Sequence, residues 1–242
     1  MEDFIHTDIF ATKGVEYLIV IGFLLLIIPF WRYLNAPVNL APVIGFSTIQ
    51  SAINRIAGSI PKGIFLDPTH SWAFLEPSGA ARVGVDNFLL STTGPVNYHE
   101  FRQPGEAINR GEVMSVLEQD GKHLKVYSPI SGVIKQHNRK PVKPGDSGEN
   151  LYDQGWLYMI EPENWTRDIQ KLLFAQKAED WIRKEFDRLK DFFAFSTQKY
   201  GYNPELVILQ DGGALMEQAL QQMPGDIWDE FQAEFIDANK FE

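Results

Sequence analysis

The feature that most restricts how this chain can fold is an apolar run near its N-terminus. Tyr17 to Trp31 form an uncharged stretch between Glu16 and Arg32. As a helix this stretch covers roughly 22 Å at about 1.5 Å per residue. Extended to Val15–Leu34, it approaches the roughly 20 residues that a bilayer core requires, with aromatic residues at its ends as at membrane interfaces. The run predicts a single transmembrane helix that contacts membrane lipid from Val15 to Leu34.

Two alternatives to a retained anchor are a buried core helix and a cleaved signal peptide. A core helix of a small domain usually carries a polar stripe, whereas this run is apolar on all sides. A signal peptide begins with a basic region, but residues 1–13 hold three acids and one base. Both alternatives are therefore disfavoured.

The orientation in the membrane rests on few charges. Lys13 on one side balances Arg32 on the other, so the residues nearest the membrane give a tie. Arg55 and Lys62 lie further along the chain and favour a cytoplasmic main domain. We expect a single-pass membrane protein with its main domain in the cytoplasm.

Composition and motifs argue against several classes of function. The chain has no cysteine, hence no disulfide, thiolate metal site or cysteine nucleophile. Its formal net charge is −10, and most of this excess of acids over bases lies in residues 203–242, which hold nine acids and one base. Nucleic-acid binding is disfavoured because a phosphate backbone requires a basic surface. The five histidines do not form a metal-binding pair, and no phosphate-binding or nucleophile motif is visible, so we expect no metal and no catalytic residues.

A linker over residues 35–62 contains a second helical signal. Ile49, Ile53, Ile56 and Ile60 recur at steps of four, three and four, which is the spacing of one helix face. This amphipathic helix is expected to lie on the membrane or on a neighbouring subunit. Packing on its own domain is the alternative.

From Gly63 to Pro162, short apolar runs alternate with turn residues, which predicts a small all-β unit. Within this unit, five sequence blocks and a single glycine occur in a characteristic order and spacing. They are His70-Ser71-Trp72, Ala81 to Phe88, Gly94, Pro104 to Glu112, Tyr127 to Gly132 and Gly148 to Leu157. In this arrangement the chain resembles the H protein of the glycine cleavage system, a member of the lipoyl and biotinyl carrier superfamily.

The resemblance covers roughly residues 64–185 and implies a barrel-sandwich hybrid, in which two small β-sheets present a lysine on a hairpin turn. In the family this lysine carries a lipoyl arm that ferries an intermediate between separate enzymes. The family has a Glu three residues before that lysine, and the lysine precedes a Tyr by six residues. Glu118 and Tyr127 match, but the position of the lysine is occupied by Gly121.

The missing lysine leaves two interpretations of the hairpin. Asp120-Gly121 is a favoured two-residue turn, so the hairpin is expected to form without its carrier residue. Lys122 is the alternative lipoyl attachment site, although neighbouring strand residues point to opposite faces. Otherwise Lys122, His123 and Lys125 are solvated surface residues. We expect no cofactor, with covalent lipoate on Lys122 as the alternative.

The C-terminal part is predicted to be helical and to offer interaction surfaces. Apolar residues from Trp165 to Phe195 follow helical steps, indicating one long amphipathic helix. The acidic extension that follows contains a strand at Leu206–Leu209 and helical pieces. We assign contacts with other subunits to six apolar residues of this extension and of the preceding helices. These residues are Ile49, Ile53, Ile56, Phe192, Trp228 and Phe231. The alternative is that the helices pack on the barrel.

Together these observations predict an α+β protein in four parts. These are an N-terminal segment with a transmembrane helix (1–34), a linker (35–62), an H-protein-like lipoyl-type domain with a trailing helix (63–195) and an acidic extension (196–242). We expect a non-catalytic, membrane-tethered accessory subunit that helps assemble a membrane-bound complex, such as a redox or respiratory one. The alternative is a lipoyl carrier, modified on Lys122, that serves glycine cleavage or another lipoate-dependent enzyme.

Overall fold

The computed structural model describes residues 9–34, 60–99, 102–138, 149–201, 208–209, 214–215 and 218–237. The chain divides into two compact units, Met1–Ile44 and Gly45–Glu242. The helix predicted around Ile49, Ile53 and Ile56 lies outside the described residues, so that prediction and its partner contacts stay open.

The N-terminal unit contains helix α1, Ile9–Leu34, which is 26 residues long. Described side chains in its apolar run reach from Tyr17 to Phe30, and most are exposed. Among the described residues, no helix combines the length and apolarity that crossing a membrane requires.

The second unit is built on two antiparallel β-sheets. A seven-stranded sheet has the order β10-β1-β2-β3-β9-β8-β5, and a three-stranded sheet has the order β4-β6-β7. The strands are β1 Phe65–Asp67, β2 Ser71–Leu75, β3 Ala81–Val85, β4 Asn97–His99, β5 Ala107–Ile108, β6 Val113–Gln119, β7 Lys122–Tyr127, β8 Gly132–His137, β9 Trp156–Pro162 and β10 Leu173–Phe174. These sheets agree with the predicted H-protein-like β domain within an α+β protein.

Buried side chains from both sheets form the core because alternate strand residues face the same side. Leu117 of β6 and Leu124 of β7 are paired across the strands and are almost completely buried. Trp72 of β2 is also buried, and its indole Nε1 donates a hydrogen bond to the carbonyl oxygen of Val85 at 2.9 Å. The buried polar end of this large ring is thus satisfied.

The turn-rich pattern from Gly63 to Pro162 had predicted an all-β unit, and this prediction is wrong because the region also contains helices. Helix α2, Asn87–Thr93, begins directly after β3, and helix α3, Glu149–Gln154, precedes β9. The side chain of Asp86 caps α2 by accepting a hydrogen bond from the backbone N–H of Leu89 at 2.9 Å. The apolar periodicity had assigned the residues of α2 to strands and turns, and it did not indicate this short capped helix.

The single long helix predicted from Trp165 to Phe195 is also wrong. The chain forms α4 at Trp165–Ile169, then β10, and then α5 at Gln176–Tyr200. Between them β10 pairs with β1, which requires extended backbone, and Ala175 turns the chain with a φ of 50°. Helical spacing of apolar residues continued through this break because both flanking helices face the same core.

The C-terminal extension begins within α5 and contains a 3₁₀ helix, an α-helix and a π-helical turn. These are Ala219–Gln222, α6 Gly225–Phe231 and Gln232–Ile236. The predicted strand is found in part, because β11, Ile208–Leu209, pairs with β12, Ala214–Leu215.

Side chains of α6 and of the π-helical turn pack against α5. The ring of Phe192 lies 5.9 Å from that of Phe231 and 5.4 Å from that of Phe235, centroid to centroid. Segment 218–237 of the extension is therefore packed within the second unit, whereas its apolar residues had been assigned to contacts with other subunits.

Candidate functional site

The β6–β7 hairpin contains Gly121, the position that the H-protein-like sequence pattern assigns to the lipoyl lysine. Gln119 pairs with Lys122, so Asp120 and Gly121 form a two-residue turn. Both have positive φ, 51° and 78°, which a type I′ turn requires. The hairpin predicted from the Asp-Gly pair is confirmed.

The tip of this hairpin is open. Asp120 and Gly121 are exposed, and a Cβ atom at Gly121 would meet no other atom within 4 Å. A side chain at this position would thus find space, and its cost would come from the positive φ alone.

Lys122, the first residue of β7, contacts the C-terminal segment 218–237. Its Nζ donates hydrogen bonds to the carbonyl oxygens of Gln221 at 2.7 Å and Met223 at 3.1 Å. The same ammonium lies 4.9 Å from the centre of the Trp228 ring, within the range of a cation–π contact. Burial lowers the pKa of Lys122, although the nearby Asp120 acts in the opposite direction. The prediction of a solvated charge at Lys122 is wrong.

Two further polar contacts join β7 to the same segment. The backbone N–H of Lys125 donates to the side-chain oxygen of Gln232 at 2.7 Å, and the hydroxyl of Tyr127 donates to Asp237 at 3.1 Å. An unpaired strand edge otherwise exposes backbone donors that attract other chains. The side chains of Lys125 and His123 are exposed, as predicted for solvated residues.

Glu118, which matches the family's glutamate, lies on β6 next to the turn. Its Oε2 is 2.6 Å from Nε2 of His99, and its cross-strand partner is His123. Within the described parts of the chain, no group of three or more His, Asp or Glu residues is placed to hold a metal ion. The pair is a surface contact that orients the side chain of Glu118.

A second polar cluster lies in the core around His70. Its Nδ1 is 2.8 Å from Oδ2 of Asp86, and its Nε2 is 3.8 Å from Oε2 of Glu185 on α5. All three residues are buried. The imidazole stacks on the rings of Phe88 and Trp181, with centroids 4.3 and 4.9 Å away. The two buried carboxylates beside His70 had not been anticipated from the sequence.

Opposite charges in this cluster stabilise each other and shift the pKa values of His70 and Glu185. Burial alone would lower the pKa of His70, but Asp86 and Glu185 raise it to about 9. Burial alone would raise the pKa of Glu185, but His70 and Arg188 lower it. Arg188 donates to both carboxylate oxygens of Glu185, at 2.6 and 2.7 Å. A protonated histidine between two carboxylates is thus the arrangement that the interior stabilises.

The other family blocks have structural contacts. Arg110 pairs with the buried Asp67 at 2.6 Å, and its backbone N–H donates to the hydroxyl of Ser131 at 3.0 Å. The backbone N–H of Ser131 in turn donates to the buried Asp168 at 2.8 Å. These contacts join β1, the loops that precede β6 and β8, and α4, and they hold the barrel together.

The residues predicted to contact partners occupy different environments. Trp228 and Phe231 are buried among side chains of their own unit, whereas Phe192 is half-buried. A cleft of about 490 Å³ lies between α5 and the C-terminal segment, with Phe195 on its border. Phe195 is 65% exposed and was not among the predicted contacts. Partner contacts themselves stay a prediction.

Comparisons with known proteins agree with the sequence blocks. The sequence profile of the family described as Glycine cleavage H-protein matches residues 65–185, which is half of the chain. The glycine cleavage system H protein of Stenotrophomonas maltophilia strain R551-3 is 30% identical over 126 residues, which cover 50% of this chain and 95% of that protein. A counterpart from Thermus thermophilus is 28% identical over 127 residues, 52% of this chain and 98% of that protein.

A solved structure is also similar. The crystal structure of a glycine cleavage system H protein from Mycobacterium marinum aligns at 24% identity with a TM-score of 0.43, over 50% of this chain and 98% of that chain. The family match, which spans the hairpin and ends within α5, identifies the centre of this protein as an H-protein-like lipoyl domain. The chain belongs to the glycine cleavage H-protein family, whose members are carriers and not catalytic enzymes.

Proposed function

We propose that this protein is a non-catalytic H-protein-like subunit, tethered to a membrane, that helps assemble or position a membrane-bound protein complex. The observation that carries the proposal is the residue at the hairpin tip. Gly121 stands where the family's pattern has its lipoyl lysine, and it has no amine to acylate. The tip has space for a side chain, so steric crowding does not explain the absence of a lysine.

The hairpin residues do not fit a lipoyl group in other respects. A lipoyl group is attached through an amide to a lysine amine, and Lys122 is the nearest candidate. Its amine contacts two carbonyl groups and the Trp228 ring. Modification of Lys122 would require those contacts to break. Lys122 as a lipoyl carrier site therefore remains the second candidate function, supported only by its position beside the tip.

Membrane attachment is proposed from the sequence of α1. Its run from Tyr17 to Trp31 carries no charge, and the large apolar side chains described there are exposed. Exposed apolar surface of this extent is favourable only when lipid or another protein covers it. Replacing Ile21 and Leu25 by Asp is expected to release the protein from sedimented membranes. The same substitutions at the exposed Lys125 and His123 provide a control that should stay in the membrane fraction.

The carrier question is tested by peptide mass spectrometry of the natively expressed protein across Val113–Lys135. We expect an unmodified peptide. An acyl adduct on Lys122 would contradict the proposed function and support the carrier alternative.

A gain-of-function variant tests the same proposal from the other side. Gly121→Lys restores an amine at the open tip, and we expect a lipoate ligase to modify it in the purified protein. Gly121→Ser carries the same backbone strain without an amine and serves as the control. Failure of Gly121→Lys to be modified, with the hairpin intact, would show that more than the lysine separates this chain from a carrier.

The assembly role is tested by isolation from native membranes under mild detergent. Stoichiometric partner proteins that remain bound are expected. A protein that purifies as a free monomer would contradict a scaffolding role, irrespective of the outcome at Gly121.

A further inference from the structure

Segment 218–237 contacts β7 at three places along its length. These are the amine of Lys122, the backbone N–H of Lys125 and the hydroxyl of Tyr127. Other side chains of the segment pack elsewhere in the unit, since the rings of Phe231 and Phe235 lie 5.9 and 5.4 Å from the ring of Phe192 on α5. The hairpin is therefore held by a segment that is itself part of the core.

The contacts of Lys122 are well suited to hold an ammonium group. Two of its N–H groups reach carbonyl oxygens, those of Gln221 and Met223, and the face of Trp228 lies beside the charge. Trp228 is fixed in turn, because its Nε1 donates to the carbonyl oxygen of Leu220 at 2.8 Å. The two acceptors and the ring are thus all provided by one short stretch of the chain.

The relatives have no counterpart of this stretch. The family match ends at residue 185, and the H proteins of Stenotrophomonas maltophilia and Thermus thermophilus are already covered over 95% and 98% of their lengths. The contacts of Lys122, beside the open tip, are therefore provided in this chain by an addition to the family fold.

We propose that segment 218–237 is a built-in cover of Lys122, which shields its amine from acylation, leaves the tip at Gly121 open and is held on β7 by that same amine. Lys122 positions the cover on β7 through its amine, and the cover keeps modifying enzymes and acyl donors away from that amine. The inference deepens the proposed function and rests on it in one respect, namely that this hairpin does not carry a group.

The first test compares the acylation rates of two lysines on the same strand in the purified full-length chain. The reagent is the N-hydroxysuccinimide ester of acetic acid. The unprotonated Nζ attacks the ester carbonyl, an amide forms, the bond to the N-hydroxysuccinimide oxygen breaks, and a proton passes to solvent. Each lysine is followed by peptide mass spectrometry.

Lys122 is expected to react on the order of tenfold or more slowly than the exposed Lys125, because its hydrogen bonds must open first. The two rates should become similar in denaturant. The lowered pKa of Lys122 would by itself increase its reactivity, so slow acylation reports shielding and not protonation. Equal rates in the folded protein would overturn the cover.

The second test asks whether Lys122 holds the cover on β7. Lys122→Gln is expected to increase amide hydrogen exchange across segment 218–237 by several-fold, since the contacts to Gln221, Met223 and Trp228 are lost. Lys125→Gln removes a neighbouring charge and leaves the backbone contact to Gln232, so it should change little. Unaltered exchange in Lys122→Gln would show that Lys122 does not hold the cover.

These outcomes are distinguishable from a failure of the proposed function. The reactivity and exchange experiments use recombinant chain that carries no adduct, whereas the proposed function is read from the peptide masses and partners of the native protein. Fast acylation of Lys122 would contradict the proposal that segment 218–237 shields its amine. It would not contradict the proposed function, because the native peptide could still be unmodified for another reason. An adduct in the native protein would instead contradict the proposed function directly.

Discussion

At the scale of single residues, His70 connects the barrel to the long helix through charge. Asp86 at the end of β3 and Glu185 on α5 face its two ring nitrogens, and Arg188 pairs with Glu185 from the same helix. Aromatic rings cover the two faces of the imidazole. The cluster is stable while the histidine carries its proton, since removing it would leave two buried carboxylates facing a neutral ring.

Stability is therefore expected to depend on pH. The pKa of His70 is about 9 in the folded chain and 6.5 as its ordinary value, so folding binds the proton more tightly. The stabilisation is complete below about pH 6.5 and is lost as pH rises through about 9. At about 1.4 kcal/mol for each pH unit between these values, the loss of unfolding free energy amounts to roughly 3–4 kcal/mol. Urea unfolding of the full chain at a series of pH values measures it.

His70→Gln supplies the control for this prediction. Glutamine keeps a donor for Asp86 but does not titrate, so the variant should be less stable at low pH and should lose the dependence between about pH 6.5 and 9. A wild-type profile that is flat over this range would show that His70 is neutral in the folded chain.

Single residues also show where sequence reasoning ended. The Asp120-Gly121 turn was predictable because two adjacent residues determine it. The partners of Lys122 were not, because Gln221, Met223 and Trp228 lie about a hundred residues away and only the tertiary fold brings them together. For the same reason the pairing of His70 with Glu185, which lies over a hundred residues away in the chain, was not predicted.

At the scale of elements, close approach of strands explains one of the family glycines. Gly132 opens β8, where its backbone lies against the end of β9. A Cβ atom there would overlap the carbonyl oxygen of Glu161 and lie 2.7 Å from Cγ2 of Ile160. Both neighbours are held by the sheet, and a backbone carbonyl cannot turn away as a flexible side chain can.

Gly132→Ala is accordingly expected to destabilise the fold by about 3 kcal/mol, at the upper end of the usual cost of overpacking. Equilibrium unfolding in urea is the measurement. Val133→Ala, at the adjacent and 38% exposed position, is the control and should cost far less. A Gly132→Ala variant as stable as the control would mean that β8 and β9 can separate locally without cost.

Elements also account for the errors in the predicted fold. The spacing of Ile169, Leu172, Leu173 and Trp181 is compatible with one helix, yet Leu173 belongs to a strand. Periodicity records which residues face the core and not whether the backbone between them is continuous. The backbone at Leu173 is extended because β10 pairs with β1, and this pairing is not local in sequence.

At the scale of the molecule, the C-terminal extension and the barrel share one hydrophobic core. Phe88 of α2 contacts both Phe186 of α5 and Phe235 of the π-helical turn, with ring centroids 4.9 and 6.0 Å away. Buried residues of both sheets and of the extension belong to the same cluster. An addition to the family fold that shares its core is expected to unfold together with it, in one transition.

Phe231→Ala tests this cooperativity. Phe231 is fully buried, and its ring stacks on Phe235 at 4.8 Å, so truncation should cost about 3–5 kcal/mol. The whole second unit should lose that stability, with far-ultraviolet circular dichroism and tryptophan fluorescence reporting the same shifted transition. Phe195→Ala removes a ring that is 65% exposed and should shift the transition little. Two separate transitions in Phe231→Ala, with the later one unshifted, would instead show that the extension unfolds independently and that the barrel is stable without it.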